Sequence, residues 1–490
     1  MNAFSSNPGL SAVALYVPRF RVSLESWCEW TDHNWEKISS TVGSSFRLRG
    51  PHENVYTMAA NAVLRLIRNN ELDPLQIGFL ALGTESSTDN AAGAIIIRGL
   101  VDRGLESLGL PRLPRQLEVP EFKHACLGGI YAIKGAVRYV SQDGAGRSAI
   151  VVSADAAEYA RGSSGEPTQG AGAVAMLIER TPKMLEWDLM HAGSASDFRV
   201  IDFRKPVGRH FIRGYARGEG RFADYPVFNG RYSISSYLDE TAHAVDLMLD
   251  KLEISPETFY QGVSALFFHR PYRMMPVQAM AMLQVRSMAL CANADFDKLC
   301  ASAGVAADDV RRDVLSQPDL RSYATFERNA MDPFGAASAA ANTLRKQADF
   351  QAMLGDKMYL GSEVMANLGN LYTAALPAWI AAGFDEAARR DLPLAGTQMA
   401  AIGYGSGDAA EAIPLRVCDG WEAHAARIGV NVALDDAIDL NQTAYEAMHD
   451  RGAAPGVRYE PHDEFVIDRV GLEYTQQFQD IGIEYYEYVA

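Results

Sequence analysis

The chain has 490 residues, 48% of them hydrophobic, which is enough for two packed units or one large unit built from two similar halves. Its formal net charge of −16 excludes general nucleic-acid binding, since most of such a surface repels a phosphate backbone, and any phosphate-bearing ligand must meet a local basic patch. Five scattered cysteines (Cys28, Cys126, Cys291, Cys300 and Cys418) show no CxxC spacing, so neither a disulfide framework nor a zinc site is expected, nor any metal or redox cofactor.

Met1 to Leu10 carries no basic or apolar leader, and no stretch holds about 18 uncharged apolar residues, so a cytoplasmic protein with no membrane span is expected. Ala12 to Val22 reads as a first strand leaving into a loop at Pro18 and Arg19. The spacing of Val55, Met58, Ala59, Ala62, Val63 and Leu66 predicts an amphipathic helix ended by Asn69-Asn70. Ile77 to Gly83 is a short apolar run, a buried strand that delivers Glu85 at its carboxyl end. Gly93 to Leu105 is a helix, and an extended lead-in from Leu117 to Phe122 runs into Ala125-Cys126-Leu127-Gly128-Gly129. There the spacing of Ile130, Ile133, Val137 and Val140 predicts a helix that begins at Cys126. A thiol at a helix start faces free N–H groups and the positive end of the dipole, so a thiolate is expected.

Ala149 to Val152 and Gly170 to Ile178 read as strands, and then the order recurs. Ser236 to Leu252 is helical, Val263 to Phe268 is an apolar strand ending on His269, Gly369-Asn370 opens a helix, and Met399 to Ile402 is a strand leading to Tyr404-Gly405-Ser406-Gly407. Glu85 and His269 therefore hold equivalent places past strands, as do Cys126 and Asn370 at helix starts. Alternating strands and helices predict an α/β fold of two similar halves, each with a mostly parallel sheet and its ligands at the strands' carboxyl ends. Residues 277–350 read as a helical insertion, and the tail from Trp421 as a closing strand or arm without chemistry. Residues 199–221 concentrate Arg199, Arg204, Lys205, Arg209, His210, Arg213, Arg217 and Arg221, which suits either a solvated loop or a clamp for phosphate or an acidic carrier protein.

Cysteine, histidine and asparagine converging in such a fold are the equipment of acyl-thioester chemistry. Cys126 can accept an acyl group, and His269 and Asn370 can donate hydrogen bonds to a thioester carbonyl, each such donor contributing about 2.7–4 kcal/mol. A carboxylate such as Glu85 is needed only if a carbon acid must lose a proton.

At these residues the sequence resembles the 3-hydroxy-3-methylglutaryl-CoA synthase family of the thiolase superfamily. The matching stretches are Gly83-Thr84-Glu85, Ala125 to Gly129, Pro167 to Ile178, Asp202-Phe203-Arg204-Lys205-Pro206, His269-Arg270-Pro271-Tyr272, Gly369 to Thr373 and Tyr404-Gly405-Ser406-Gly407, in the family's order. The resemblance implies a thiolase-like fold with a layered αβαβα core. Residues 1–180 would form the half with Glu85 and Cys126, residues 181–417 the half with His269 and Asn370, and residues 418–490 a C-terminal extension. It implies an acyltransferase in which Cys126 is acetylated by acetyl-CoA and Glu85 deprotonates the acetyl methyl. His269 and Asn370 would position an acetoacetyl thioester, giving 3-hydroxy-3-methylglutaryl-CoA for isoprenoid precursors. Ser406 and Gly405 would shape the oxyanion region, Tyr372 would line the pocket, and the usual assembly would be a homodimer.

The chain departs from the family in its basic residues. Lysines that relatives carry after the glutamate's aspartate and after the His-x-Pro turn are absent: Asp89 is followed by Asn90-Ala91-Ala92-Gly93, and Arg270 and Arg273 flank Pro271-Tyr272. Lys205, Arg204, Arg270 and Arg273 are thus the candidate contacts for the phosphates of CoA or of an acyl carrier protein, and a carrier-protein enzyme of polyketide β-branching is the alternative. A simple acetyltransferase or a non-catalytic subunit of a larger complex also fits the residues.

Overall fold

The structure, a computed structural model of the chain, describes residues 7–87, 90–199, 202–204, 226–228, 230–291, 294–316, 320, 332–453 and 456–490. Among these, ten strands form one sheet in two similar portions, nine of them along one hydrogen-bonded path and the tenth, Gly193–Ser196, paired beside Ala409–Val417. In the first, Ile77–Gly83 pairs in parallel with Glu121–Phe122 and with Ser148–Ala157, which pairs antiparallel with Gly170–Glu179 and through it with Gly9–Tyr16. In the second, Ala265–Phe268 runs parallel to Gln398–Gly405, which pairs antiparallel with Ala409–Val417. The parallel-then-antiparallel order is the same in both. The portions meet where Gly9 and Leu10 pair with Glu186 and Leu185.

The expectation of mostly parallel sheets is corrected by the glycine-entered strands. Ala409–Val417 follows Gln398–Gly405 through a connection too short for a crossover, and between Ser148–Ala157 and Gly170–Glu179 there is no crossover helix, only the single turn Glu166–Thr168, so each strand returns beside its predecessor and runs antiparallel.

Strand residues alternate between two cores. Ala12, Ala14, Leu80, Leu82, Ile150 and Val152 face the outer helices Val55–Asn69 and Gly93–Ser107, while Val13, Phe79, Ala81 and Val151 face the helix Gly128–Gln142. Because both faces are covered, these strands read as unbroken apolar runs. Gly128–Gln142 and Ala375–Arg389 lie between the two portions: the first contacts Ile77–Gly83 and Ser148–Ala157, while a Cβ built on Gly403 of the second portion would point at Leu127 and Ile130. Outer helices, central helices and the strands between them form the αβαβα layering, closed on the second side by Gly230–Leu252.

The helices Met274–Cys291, Ala294–Ala303, Ala307–Leu315 and Gly335–Leu344 pack on one another in the expected insertion. The C-terminal hairpin of Glu464–Val470 and Glu484–Val489 lays Phe465 against the first portion's outer core. Among the described residues no helix is long and apolar enough to cross a membrane. Nor is any group of three or more His, Cys, Asp or Glu side chains placed to hold a metal ion.

Candidate active site

Cys126 is reached through a turn. Ala125 has φ 42°, the Leu127 N–H bonds the His124 carbonyl and the Gly128 N–H bonds the Ala125 carbonyl, so the α-helix proper begins at Gly128. The first amides that could have faced the sulfur are thus partly used within the turn. The thiol Sγ instead donates to Glu85 Oε2 at 3.2 Å. Burial, and after it the Glu85 carboxylate, hold the Cys126 thiol well above its ordinary pKa. The expected thiolate is therefore corrected to a thiol: helix-end charge is a weak effect, and here it is outweighed by desolvation and a carboxylate in contact.

Two glycines permit the close approach. A Cβ on Gly129 would lie 2.3 Å from Ser153 Oγ and 2.8 Å from the Thr373 carbonyl, and one on Gly405 would lie 2.6 Å from the His124 carbonyl. Gly405 therefore acts as backbone clearance beneath the cysteine turn, not as a group that lines the cleft.

Cys126, His269, Asn370, Tyr372 and Ser406 line a single cleft of about 440 Å³, together with Tyr159, Tyr237, Tyr272, Tyr404 and the 164–168 segment. His269 follows Ala265–Phe268; its N–H bonds the Ile402 carbonyl, and its own carbonyl accepts from the Tyr237 hydroxyl. Burial pushes its imidazole down to about 3, so it faces the cleft neutral. Among the described residues its Nδ1 has no hydrogen-bond partner. Asn370 Oδ1 accepts the Tyr372 N–H at 2.9 Å, which orients the amide, and its side chain also bonds Tyr159.

Asp155 joins the two portions and was not singled out in the sequence. One carboxylate oxygen accepts the N–H groups of Glu85 and Ser86, both at 2.8 Å, and the Thr84 hydroxyl at 3.0 Å; the other accepts the Thr373 N–H at 2.9 Å. Nothing in the apolar run from Ala149 to Ala157 marks it except that a lone carboxylate there must be satisfied. Tyr159 was also missed, and the C-terminal segment holds it. His449 Nε2 lies 2.8 Å from the Tyr159 carbonyl, and the Tyr445 hydroxyl donates to Glu166 Oε1 at 2.6 Å.

Two of the basic candidates, Arg270 and Arg273, are engaged elsewhere in the fold. Arg270 is buried, donates to Ser362 Oγ at 2.9 Å and stacks over Trp379; Arg273 pairs with Glu363 at 2.7 Å. Neither lines the cleft beside Cys126. Arg204 belongs to a short strand, Phe203–Arg204, and Lys205 with the rest of the basic stretch from Arg209 to Arg221 lies outside the described residues. Arg199 does not belong to a clamp: it is 3% exposed and bound by Asp239, Glu240 and Asp408.

A family model, hydroxymethylglutaryl-coenzyme A synthase N terminal, matches residues 4–183. The hydroxymethylglutaryl-CoA synthase of Haloferax volcanii is 26% identical over 401 residues, covering 81% of each chain. A structure of MvaS in complex with 3-hydroxy-3-methylglutaryl coenzyme A superposes with a TM-score of 0.75 at 24% identity, over 99% of this chain and 100% of that one. The HMG synthase of the curacin biosynthetic pathway superposes with a TM-score of 0.69 at 19% identity, over 98% and 100%. The chain is thus similar to hydroxymethylglutaryl-CoA synthases: residues 4–183 match the N-terminal family model, the sequence likeness to the Haloferax volcanii enzyme spans 81% of the chain, and the fold of the solved proteins is reproduced over 98–99% of it.

Proposed function

We propose that this protein condenses an acetyl group carried on Cys126 with an acetoacetyl thioester to form 3-hydroxy-3-methylglutaryl-CoA, the step that supplies isoprenoid precursors. The observation that carries the reading is the contact between Glu85 and the Cys126 thiol at 3.2 Å, where Cys126 lines one cleft with His269 and Asn370. Acetyl transfer needs a base only to take the thiol proton; carbon–carbon bond formation needs one there a second time, to take a proton from the acetyl methyl.

The steps follow from that contact. The Cys126 thiol passes its proton to Glu85 as sulfur attacks the acetyl-CoA carbonyl, and the proton leaves with the coenzyme A thiol. Glu85, ionised again, takes a proton from the methyl of acetyl-Cys126. The resulting enolate carbon attacks the ketone of the acetoacetyl group, and Glu85 returns the proton to the new alkoxide. Water then cleaves the Cys126 thioester, leaving a free carboxylate on the product and the thiol on the enzyme. His269, neutral, and Asn370 donate hydrogen bonds to carbonyl oxygens of the acceptor, where the charge grows.

Intact-protein mass after mixing with acetyl-CoA tests the first step, with Cys126→Ala expected to take up no acetyl group. Glu85→Ala tests the second: condensation is expected to fall about 10²–10⁴-fold. Product formed by that variant at the unaltered rate would sink the condensing mechanism. A carrier-protein-borne acceptor is the second reading, favoured by the position of Arg270 and Arg273 away from the cleft. Parallel assays with acetoacetyl-CoA and an acetoacetyl carrier protein separate the two. A homodimer accompanies either reading, and sedimentation velocity tests it.

A further inference from the structure

The Asn370 side chain is set by two contacts, the Tyr372 N–H on its Oδ1 at 2.9 Å and the hydroxyl of Tyr159, which lines the same cleft. Only the NH2 group of that amide can donate to a carbonyl of the acceptor, so whatever holds Tyr159 bears on the aim of Asn370. Tyr159 is held at both ends of its backbone. Its N–H donates to Gln169 Oε1 at 3.1 Å, and its carbonyl meets His449 Nε2 at 2.8 Å.

A backbone N–H can only donate, so Tyr159 fixes which end of the buried Gln169 amide is oxygen. The other end, Nε2, donates to the Tyr445 hydroxyl at 3.1 Å, and the one hydrogen of that phenol goes to Glu166 Oε1 at 2.6 Å. Trp27 Nε1 at 3.1 Å and the Gly162 N–H also donate to the Glu166 carboxylate. Each donor in this buried row has an acceptor, and the row runs one way, from Gln169 to Glu166. The backbone of Gln169 meanwhile lies against the asparagine loop: the Thr168 carbonyl accepts the Asn370 N–H at 3.0 Å, and a Cβ on Gly369 would stand 1.7 Å from the Gln169 carbonyl. Gln169 therefore reaches Asn370 twice, through its own backbone and through Tyr159.

We propose that Gln169 and Tyr445 are positioning residues for the condensation: Tyr445 sets the Gln169 amide, Gln169 sets Tyr159, and Tyr159 holds the Asn370 NH2 group toward the acceptor carbonyl. The inference rests on the function proposed above. Tyr445 belongs to the helix Gln442–Arg451, so the C-terminal segment takes part in the reaction although none of its described residues lines the cleft.

The test is a double-variant cycle. Tyr445→Phe keeps the ring and removes only the hydroxyl. Its kcat and kcat/KM for the acetoacetyl thioester are expected to fall together, by about 10–100-fold, because the hydrogen bond it aims is made where charge grows in the transition state. A rise in KM with kcat unaltered overturns the proposal. Asn370→Ala removes the target of the row, so Tyr445→Phe added to it is expected to slow condensation no further. Losses that multiply also overturn the proposal, since a hydroxyl that merely stabilises the fold acts with or without Asn370. Gln169→Leu breaks the row one residue nearer and gives a second cycle, which decides the matter if Tyr445→Phe does not fold. Failure of the unaltered protein to make product would overturn the function instead, and the cycle is then read in denaturant unfolding of the same proteins. There non-additive losses support the row, and additive losses overturn it.

Discussion

Thr373 binds the carboxylate of Asp155 twice, through its N–H at 2.9 Å and through its hydroxyl, although the two residues are 218 positions apart, Asp155 in the strand Ser148–Ala157 and Thr373 in the turn that leads into the helix Ala375–Arg389. Since the other oxygen of Asp155 holds the backbone of Glu85 and Ser86, Glu85 and the loop that carries Asn370 are set by one side chain.

Asp155→Asn places an NH2 group where an acceptor is needed. Hydrogen bonds to a buried charge are worth about 1.5–3 kcal/mol each, so unfolding free energy should drop by about that amount or more. Turnover should fall about 10²-fold, the usual effect of a reacting group displaced by about 1 Å. Denaturant unfolding and steady-state kinetics on the same preparation check both, and a variant with unaltered turnover would remove Asp155 from the argument.

Thiol chemistry should report the Cys126–Glu85 contact. Burial and the Glu85 charge raise the thiol, so carbamidomethylation at pH 7 should be slow at Cys126 and fast at the exposed Cys291. Glu85→Gln removes the carboxylate part of the shift, and the pH midpoint of Cys126 labelling should move down. Peptide mass spectrometry resolves the two sites; a midpoint that stays or rises in Glu85→Gln contradicts the assignment.

His269 should show itself in acid. Its folded value is pushed down to about 3 from 6.5, so the unfolded chain takes up a proton that the folded site refuses. The stability tied to the neutral ring is full above about 6.5 and is lost as pH falls toward 3. His269→Gln, which cannot titrate, should lose less stability between pH 7 and pH 5 in urea titrations than the unaltered protein does.

Gly405→Ala pushes a methyl group against the His124 carbonyl and Leu127, both within 2.9 Å of the added carbon. Overpacking of this kind costs about 1–3 kcal/mol. Because the obstruction lies under the Cys126 turn, acetylation by acetyl-CoA should slow more than the melting temperature alone would explain. Gly99→Ala, exposed in the helix Gly93–Ser107 with open space around it and no positive φ, serves as the control for the glycine exchange itself.

Much of the catalytic geometry was legible because it sits at the ends of strongly apolar elements. Ile77 to Gly83 and Val263 to Phe268 announce where Glu85 and His269 emerge, and the small-residue helices announce Cys126 and Asn370. The residues that hold these groups in place gave no such signal. Asp155 lies inside an apolar strand, and its partners are distant in the chain; Gln169 stands before a glycine-entered strand, and its partner Tyr445 is 276 residues away. Arg199 looked like one more cation in a basic run, yet its acidic partners Asp239 and Glu240 come from a helix further along the chain, Gly230–Leu252. The thiolate expectation failed for a similar reason: a dipole can be read from local sequence, while desolvation and a contacting carboxylate cannot.

The clamp on Tyr159 has a consequence for the order in which this protein is made. Tyr159 and His449 are 290 residues apart, and Glu166 waits on Tyr445 in the same way. A ribosome that has finished both portions of the sheet has therefore not yet supplied the groups that anchor this wall of the cleft. Nascent chains halted before residue 445 should carry Cys126 and Glu85 on a folded surface whose opposite wall is still loose.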